Sequence, residues 1–166
     1  MTPGSNKCGD CQLCCRLMGV ADLKPDPKPK GSWCDLCKVG PGGGCRIYAA
    51  RPPSCVTYRC LWLDSQINPD VPRPIPSRLR PDQVGFLLNP LENDAGIAVM
   101  VDPERPDAWR EGEGKYWLGV FAQHVPVVVQ DPRTGTYWCI EKDGSLTELY
   151  VEVSSADTSM LKRKGT

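Results

Sequence analysis

The sequence predicts an α+β fold in which a cysteine-rich first half with short helices precedes a small antiparallel sheet with one covering helix. Nine of the ten cysteines lie within residues 8–60, whereas apolar runs typical of strands begin only after residue 81. The chain also contains 17 prolines and 16 glycines, which place much of it in turns and loops. Its 166 residues suffice for one ordinary domain, or for a small module joined to a second one.

Composition along the chain predicts four consecutive parts, which can still pack into one compact domain. They are a cysteine-cluster module at 1–63, a proline-rich connector at 64–81, an α+β sheet region at 82–155 and a flexible tail at 156–166. The connector, "DSQINPDVPRPIPSRLRP", carries five prolines and is therefore expected to be extended.

The cysteines of the first half have the spacing of a metal site. Cys8 with Cys11, and Cys34 with Cys37, form two Cys-x2-Cys pairs, in which a tight turn can direct both sulfurs at one ion. Five more cysteines are available to complete the coordination shells. The predicted ligands are Cys8, Cys11, Cys14, Cys15, Cys34, Cys37, Cys45, Cys55 and Cys60.

Reduced thiols fit this chain better than disulfides. The opening "MTPGSNKCGD" has no apolar signal region and no run of eighteen apolar residues follows, so we expect a cytoplasmic protein without a membrane span. Thiols in that compartment stay reduced. Cys14 and Cys15 are adjacent, and neighbouring α-carbons lie about 3.8 Å apart, closer than the roughly 5.5–6 Å that a disulfide prefers.

Zinc is the predicted metal, because thiolates suit its tetrahedral coordination. Eight of the nine cysteines could form two four-cysteine zinc sites, or all nine could hold three ions through bridging sulfurs. Iron or an iron-sulfur cluster is an alternative, since Cys8, Cys11 and Cys14 have the spacing that opens a bacterial ferredoxin motif. Met18 and Gly19 stand where that motif has its last cysteine and proline. Metal storage or transfer is a second alternative.

Charge and composition bear on partners and catalysis. Residues 8–60 carry eight Lys or Arg and four Asp, but these cations are scattered and no basic run includes aromatics, so we expect no nucleic-acid partner. The expected partner is a protein or small molecule of unknown identity. Glu111 and Glu113 lie in a glycine-rich segment where solvated charge is the better interpretation, and His124 is the only histidine. The sequence therefore favours a structural metal that supports an interaction surface, and leaves catalysis open.

Three stretches, "CGDCQLCC", "CDLC" and "GCRIYAARPPSCVTYRCLWL", resemble the CxxCxxCC cysteine-cluster family, described as YkgJ-like and associated with zinc or iron chelation. The resemblance covers about residues 8–63. It implies a metal-binding domain held by about eight cysteines and brings no settled reaction. The cysteines on the shared pattern are Cys8, Cys11, Cys14, Cys15, Cys45 and Cys55, whereas Cys34, Cys37 and Cys60 are additions to it.

Short elements are expected around the second group of cysteines. "CRIYAARPPSC" predicts a helix over 46–50 that the proline pair must end, with Ile47 and Tyr48 covering the sulfurs. Arg51 could donate to a thiolate, a carbonyl or a carboxylate, or lie at the surface. The glycine run at 40–44 lacks the features of a phosphate loop and predicts a flexible approach to Cys45.

The second half predicts strands and one helix. "VGFLLN" and "GIAVMVD" indicate a hairpin, residues 115–123 a helix, and "VPVVVQ", "TYWCIEK" and "LTELYVEV" three further strands. Cys139 lies in one of these alternating runs, where a small buried side chain is the better interpretation than a ligand. The aromatic residues of this half, which are predicted to belong to the core rather than to a ligand groove, are Trp109, Tyr116, Trp117 and Trp138.

Overall fold

The computed structural model describes residues 8–91, 95–153 and 159–164. The chain divides into two compact units, residues 1–87 and 88–166. The described residues form five α-helices, a two-stranded antiparallel sheet and a six-stranded mixed sheet, so the predicted α+β class is confirmed. No helix within these ranges has the length and apolar character needed to cross a membrane.

The first unit is built from short elements, because prolines and glycines interrupt the chain every few residues. Its helices and strands are α1 (Leu13–Leu17), β1 (Cys37–Lys38), β2 (Gly44–Cys45), α2 (Pro53–Thr57), α3 (Leu61–Ile67) and α4 (Pro81–Val84). The helix predicted over 46–50 is instead a single 3-10 turn, Tyr48–Ala50, and α2 begins at Pro53. Proline suits that first helical position because its missing N–H has no partner there anyway.

The predicted connector is partly helical and folds back on itself. Helix α3 extends into it, and the indole N–H of Trp62 donates to the carbonyl of Pro76 over 3.2 Å. The amide of Gln66 donates to the carbonyl of Ile75, and the N–H of Ile75 donates to the hydroxyl of Ser65. Side chains of α3 thus satisfy the backbone of a proline-rich segment that cannot pair regularly in a sheet.

The six strands of the larger sheet lie in sequence order. They are β3 (Phe86–Pro90), β4 (Ile97–Val101), β5 (Val127–Gln130), β6 (Tyr137–Ile140), β7 (Leu146–Val153) and β8 (Ser159–Arg163). Strands β3 and β4 are neighbours, as the hairpin prediction requires, although residues 92–94 of their connection lie outside the described residues. Strand β8 falls within the predicted tail and pairs antiparallel with β7.

The prediction of an entirely antiparallel sheet is wrong at one position. Strands β4 and β5 run parallel, with Ile97 opposite Val127, while β5, β6, β7 and β8 pair antiparallel. The connection between β4 and β5 contains helix α5 (Gly112–Ala122), close to the predicted 115–123. A crossover of this length returns the chain to the same end of the sheet, so the next strand runs in the same direction.

The second unit has an ordinary apolar core. Val99, Leu118, Val127 and Val129 are almost completely buried, as is Trp109. Alternation along β5 directs Val128 to the opposite face. There it packs in a smaller cluster with Cys139 and Leu149.

The side-chain predictions for this half are largely confirmed. Cys139 is a buried strand residue, and His124, Glu111 and Glu113 are exposed. Of the four aromatics expected in the core, Trp109 is buried, Trp117 and Trp138 are half-buried, and Tyr116 is 64% exposed, so that prediction is confirmed only in part.

Candidate metal centre

A cavity in the first unit collects most of the predicted ligands. It has a volume of about 240 Å³, and its wall includes apolar side chains such as Val20, Leu36 and Ile47. Seven thiols line it: Cys8, Cys11, Cys14, Cys15, Cys34, Cys45 and Cys55. None of the chain's ten cysteines, all of which lie among the described residues, forms a disulfide bond.

A second cavity of about 240 Å³ shares part of this wall. Cys8, Cys11, Cys14 and Cys55 border both cavities, and Cys60 borders only the second. Eight of the nine predicted ligands therefore surround two spaces that share walls.

The ninth predicted ligand, Cys37, is buried beside the others. Its thiol donates a hydrogen bond to Oε1 of Gln12 over 3.8 Å, and its sulfur lies near that of Cys15. The short β1–β2 sheet sets Cys37 directly opposite Cys45. Backbone pairing thus connects the second Cys-x2-Cys pair to the next cysteine along the chain.

Both Cys-x2-Cys pairs form the tight turns that their spacing predicts. The N–H of Cys11 donates to the carbonyl of Cys8 over 3.2 Å, and the N–H of Cys37 donates to that of Cys34 over 2.9 Å. The N–H of Cys34 in turn donates to the carbonyl of Cys15 over 2.9 Å. The two groups of cysteines are therefore joined through their backbones as well as through the cavity.

The glycine run before Cys45 is held in place rather than flexible. The Gln12 side chain accepts a hydrogen bond from the N–H of Gly40 over 3.1 Å and donates to the carbonyl of the same residue over 2.9 Å. A Cβ at Gly43 would lie 1.9 Å from the carbonyl oxygen of Lys38, so only glycine fits there. The sequence does not indicate this role of Gln12, because a single polar residue between two cysteines predicts no particular partner.

A buried lysine lies beside the thiols. The Lys28 ammonium donates to the carbonyls of Arg16 and Met18, at the end of α1, and to the carbonyl of its neighbour Pro29. Burial lowers the pKa of Lys28, and the nearby Cys34 and Cys15 sulfurs act in the opposite direction. This positive charge can offset that of thiolates within the cavity.

Arg51 borders both cavities and has two interactions with Tyr48. Its Nε donates to the Tyr48 carbonyl over 2.9 Å, and its guanidinium lies 3.6 Å from the centre of the Tyr48 ring. Of the partners suggested from the sequence, the carbonyl is therefore the one observed. The same guanidinium lowers the pKa values of Cys8 and Cys15, although other effects are larger at both thiols.

The vicinal cysteines share a proton network. The Cys14 thiol donates a hydrogen bond to the Cys15 sulfur, which is the main reason why the pKa of Cys15 falls to about 6; a second hydrogen bond, from Cys37, acts in the same direction. That hydrogen bond, together with burial, raises the pKa of Cys14. Burial raises the pKa of Cys8 to about 11 and that of Cys11 to about 12. Among these four thiols, Cys15 is thus the one whose pKa is lowered.

Two residues at the boundary between the predicted connector and the predicted sheet region, Arg80 and Asp82, reach the first Cys-x2-Cys pair, although no sequence pattern singles them out. The Asp82 carboxylate accepts a hydrogen bond from the Cys11 thiol. Arg80 binds Asp82 over 2.6 Å and Asp10 over 2.9 Å. This ion-pair network connects the start of α4 to the turn that carries Cys8 and Cys11.

The thiols do not form a ready-made coordination shell. Within the described ranges, no three His, Cys, Asp or Glu side chains have donor atoms close enough together to hold one ion. The cysteines surround the cavities instead, so ligation would require their sulfurs to move inward. The donor set itself, seven thiols around one space, fits a soft metal.

Comparison with known proteins provides no family or relative. The chain matches no protein-family model, and no curated protein or solved structure is similar enough to be matched. The resemblance to the CxxCxxCC family therefore stays a prediction. Fold and cavity together define an α+β chain whose first unit contains a thiol-lined space.

Proposed function

We propose that this protein binds two or three zinc ions through its nine N-terminal cysteines, and that the metal stabilises the fold of residues 8–60. The observation that carries the proposal is the gathering of eight of these thiols around two cavities with shared walls. Residues far apart in sequence, from Cys8 to Cys60, contribute to these walls. Such convergence is what multi-cysteine metal coordination requires.

The small apolar core of this region supports a structural role for the metal. Between residues 8 and 60, all of which are described, the buried hydrophobic side chains are Leu13, Leu17, Val20, Cys37 and Cys60. Small modules with so little apolar core usually depend on disulfides or metal for stability. Structural zinc supplies roughly 10–16 kcal/mol per ion in small zinc-finger peptides, and zinc binding would thus make a large contribution here.

The region's charge is compatible with thiolate coordination. Residues 8–60 carry a net charge of +4 before any thiol ionises, from eight Lys or Arg and four Asp. Lys28 and Arg51 lie among the cysteines. Positive charge of this kind lowers the cost of ionising several thiols in one place.

The metal-supported unit would accompany a sheet that offers a binding surface. On the outer strands, Val151 and Leu161 lie opposite each other and are 46% and 38% exposed. Exposed apolar side chains at paired positions suit contact with a protein or small-molecule partner.

Two other metal functions each have one observation in their favour. Cys8, Cys11 and Cys14, which have the ferredoxin-like spacing, all border both cavities, as ligands of an iron-sulfur cluster would. The seven thiols of the first cavity are half-buried rather than fully buried, which favours exchangeable metal in storage or transfer.

Elemental analysis tests the proposal. Protein purified under reducing conditions without added metal should contain two or three zinc ions per chain and show no visible absorption. Cys45→Ala, at the first cavity, should lower the zinc content, whereas the matched Cys139→Ala should leave it unchanged. Bound iron together with visible absorption would instead indicate an iron or iron-sulfur redox protein. Protein that neither retains nor takes up any metal would overturn the proposal.

Treatment with a chelator distinguishes a structural role of zinc from a storage role. If zinc is structural, its removal should abolish the circular-dichroism signal contributed by the first unit. If zinc is stored cargo, it should leave while that signal persists.

A further inference from the structure

We infer that Cys37 and Cys45 form an oxidation site, at which hydrogen peroxide converts the two opposed thiols into a disulfide that crosslinks β1 to β2. Both cysteines are free in the structure and lie on paired strands. Both are also proposed zinc ligands, so the same oxidation would remove two ligands and release zinc. That consequence rests on the proposed function, whereas the disulfide itself rests on the geometry of the hairpin.

The register of the β1–β2 hairpin places the two thiols at one rung of the ladder. Cys37 lies directly opposite Cys45 in an antiparallel pair. One rung further along, the N–H of Arg46 donates to the carbonyl of Leu36 over 2.8 Å, so these two residues form a hydrogen-bonded pair. Hydrogen-bonded and non-hydrogen-bonded pairs alternate along an antiparallel ladder. Cys37 and Cys45 therefore form a non-hydrogen-bonded pair.

A non-hydrogen-bonded pair has the spacing that a disulfide needs. Its α-carbons lie about 4.5 Å apart, and its side chains point to the same face of the ladder. Disulfides occur at α-carbon separations of roughly 4.4–6.8 Å, which excludes the adjacent Cys14 and Cys15 at about 3.8 Å. Rotation of the two side chains is thus sufficient to join Cys37 to Cys45, and the backbone need not move.

Contacts outside the two strands hold the hairpin in this register. The Gln12 side chain accepts from the N–H of Gly40 over 3.1 Å and donates to its carbonyl over 2.9 Å. The N–H of Gly43 donates to the same carbonyl over 2.9 Å, and a Cβ at Gly43 would lie 1.9 Å from the Lys38 carbonyl oxygen. Reacting groups that are already positioned lose little further entropy when they form a bond.

The two thiols differ in exposure, and this difference assigns their roles. Cys45 is half-buried and borders the first cavity, whereas Cys37 is only 6% exposed. An accessible sulfur with a second thiol beside it is the arrangement typical of redox-sensing cysteines. Cys45 is therefore the sulfur that peroxide oxidises first, and Cys37 is the thiol that completes the disulfide.

The chemistry proceeds in two steps. The Cys45 sulfur attacks one oxygen of hydrogen peroxide and breaks the O–O bond; the other oxygen leaves with the thiol proton as water, and a sulfenic acid remains. The Cys37 sulfur then attacks the Cys45 sulfur and breaks its S–O bond, and this oxygen leaves with the Cys37 proton as a second water. Each sulfur is oxidised by one electron, and the peroxide is reduced to water. Where the sulfurs carry zinc instead of protons, solvent supplies the two protons.

Peptide mapping tests the inference on the full-length protein as purified. Protein prepared under reducing conditions is freed of reductant, treated with an equimolar amount of hydrogen peroxide, alkylated and digested with trypsin. Cys45 is the only cysteine in the tryptic peptide 39–46, and Cys37 lies with Cys34 in peptide 31–38. The expected product is these two peptides joined by one disulfide, with Cys34 alkylated. Zinc released during the reaction is followed with a chromophoric chelator.

The outcomes separate this inference from the proposed function. Unreacted thiols, or a disulfide that forms first at another pair such as Cys34 with Cys37, would overturn the oxidation site even if zinc is present. The expected crosslink in a protein that contains no zinc would support the oxidation site and contradict the proposed function. The crosslink accompanied by loss of zinc would support both.

Variants test whether the strand register selects the pair. Cys37→Ser and Cys45→Ser should each abolish the crosslinked peptide, whereas Cys55→Ser, at the wall of the same cavity, should retain it. Combining Cys45→Ser with Arg46→Cys keeps the number of cysteines but moves one of them to the opposite face of the ladder. The crosslink to Cys37 should then be lost, as fragmentation of the longer tryptic peptide would show. An equally efficient crosslink in this double variant would overturn the inference.

Discussion

Lys28 places a buried ammonium group where three backbone carbonyls need a donor. The carbonyls of Arg16, Met18 and Pro29 accept from it, and the first two lie at the end of the helix that carries Cys14 and Cys15. A buried acceptor that loses its donor costs more than the net energy of the hydrogen bond, because it has no water to replace the lost partner.

Lys28→Met should therefore lower the free energy of unfolding of the zinc-loaded protein by about 1–3 kcal/mol. Methionine keeps the buried hydrocarbon stem but supplies no donor. Urea denaturation at saturating zinc measures the effect. Lys30→Met, at an exposed position two residues away, is the matched control and should change stability by less than about 0.5 kcal/mol. Equal effects of the two substitutions would contradict this role for Lys28.

At this scale the sequence identifies the residues that line the cavities better than the residues that hold them in place. Spacing alone selected nine cysteines that the fold brings together, and alternation separated Cys139 from them. The roles of Gln12 and Arg80 were not predicted, because each residue binds a partner that is distant in sequence. Gln12 binds Gly40, which is 28 residues away, and Arg80 binds Asp10, which is 70 residues away. Nothing in the local pattern around either residue indicates the partner.

The hairpin formed by β1 and β2 depends on one glycine. A Cβ at Gly43 would lie 1.9 Å from the Lys38 carbonyl oxygen and 2.6 Å from the Gln12 amide nitrogen. The first of these atoms belongs to the backbone and cannot simply swing away. Any side chain at this position must therefore displace the turn that brings Cys45 opposite Cys37.

Gly43→Ala should consequently weaken zinc binding as well as stability. Competition with a chromophoric chelator should show at least a roughly tenfold loss of affinity, by analogy with the 10–100-fold losses typical when a metal ligand loses its support. Affinity equal to that of the unaltered protein would contradict the requirement for glycine.

Gly119→Ala provides the control of the same chemical type. Gly119 lies inside α5, and a Cβ there would meet no atom within 4 Å. Alanine should raise the free energy of unfolding of this helix by about 0.5–1 kcal/mol, because glycine loses more backbone entropy on folding. Thermal denaturation checks the sign, and zinc affinity should be unchanged.

Among the elements, those with a regular apolar pattern were predicted well. Helix α5 and strands β5, β6 and β7 follow their alternation or helical spacing, since each buries one face against a core. The helix predicted over 46–50 is only a 3-10 turn at Tyr48–Ala50, and α2 was not predicted because the prolines were interpreted only as a helix end, although proline also suits the first position of a helix. The direction of β5 relative to β4 was not predictable from strand patterns, because it depends on how the intervening chain crosses the sheet.

For the whole molecule, the second unit and residues 8–60 of the first differ in how many apolar side chains they bury. The second unit buries Val99, Leu118, Val127 and Val129. The first unit has few such side chains between residues 8 and 60, where the thiols are concentrated. Removal of metal should therefore affect the two units unequally.

Chelation of zinc should unfold the first unit and leave the sheet of the second in place. Hydrogen exchange followed by mass spectrometry should show lost protection in peptides from 8–60 and retained protection in peptides that cover β4, β5 and β6. Readdition of zinc, but not of magnesium, should restore protection, since thiolates prefer the softer ion. Equal loss of protection in both units would indicate one cooperative fold and contradict this division.

The parallel pairing of β4 with β5 influences the order in which the sheet can assemble. Short turns connect β5 to β6 and β6 to β7. Pairing of these three strands therefore costs little loop-closure entropy and can occur early in folding. Strand β4 can pair with β5 only after the long connection that contains α5 has brought the two strands together. Contacts between residues so far apart in sequence form slowly. A nascent chain would thus carry β4 with the edge that later meets β5 unpaired until β5 has been synthesised, and this open strand edge could meet chaperones or other unfinished chains in the interval.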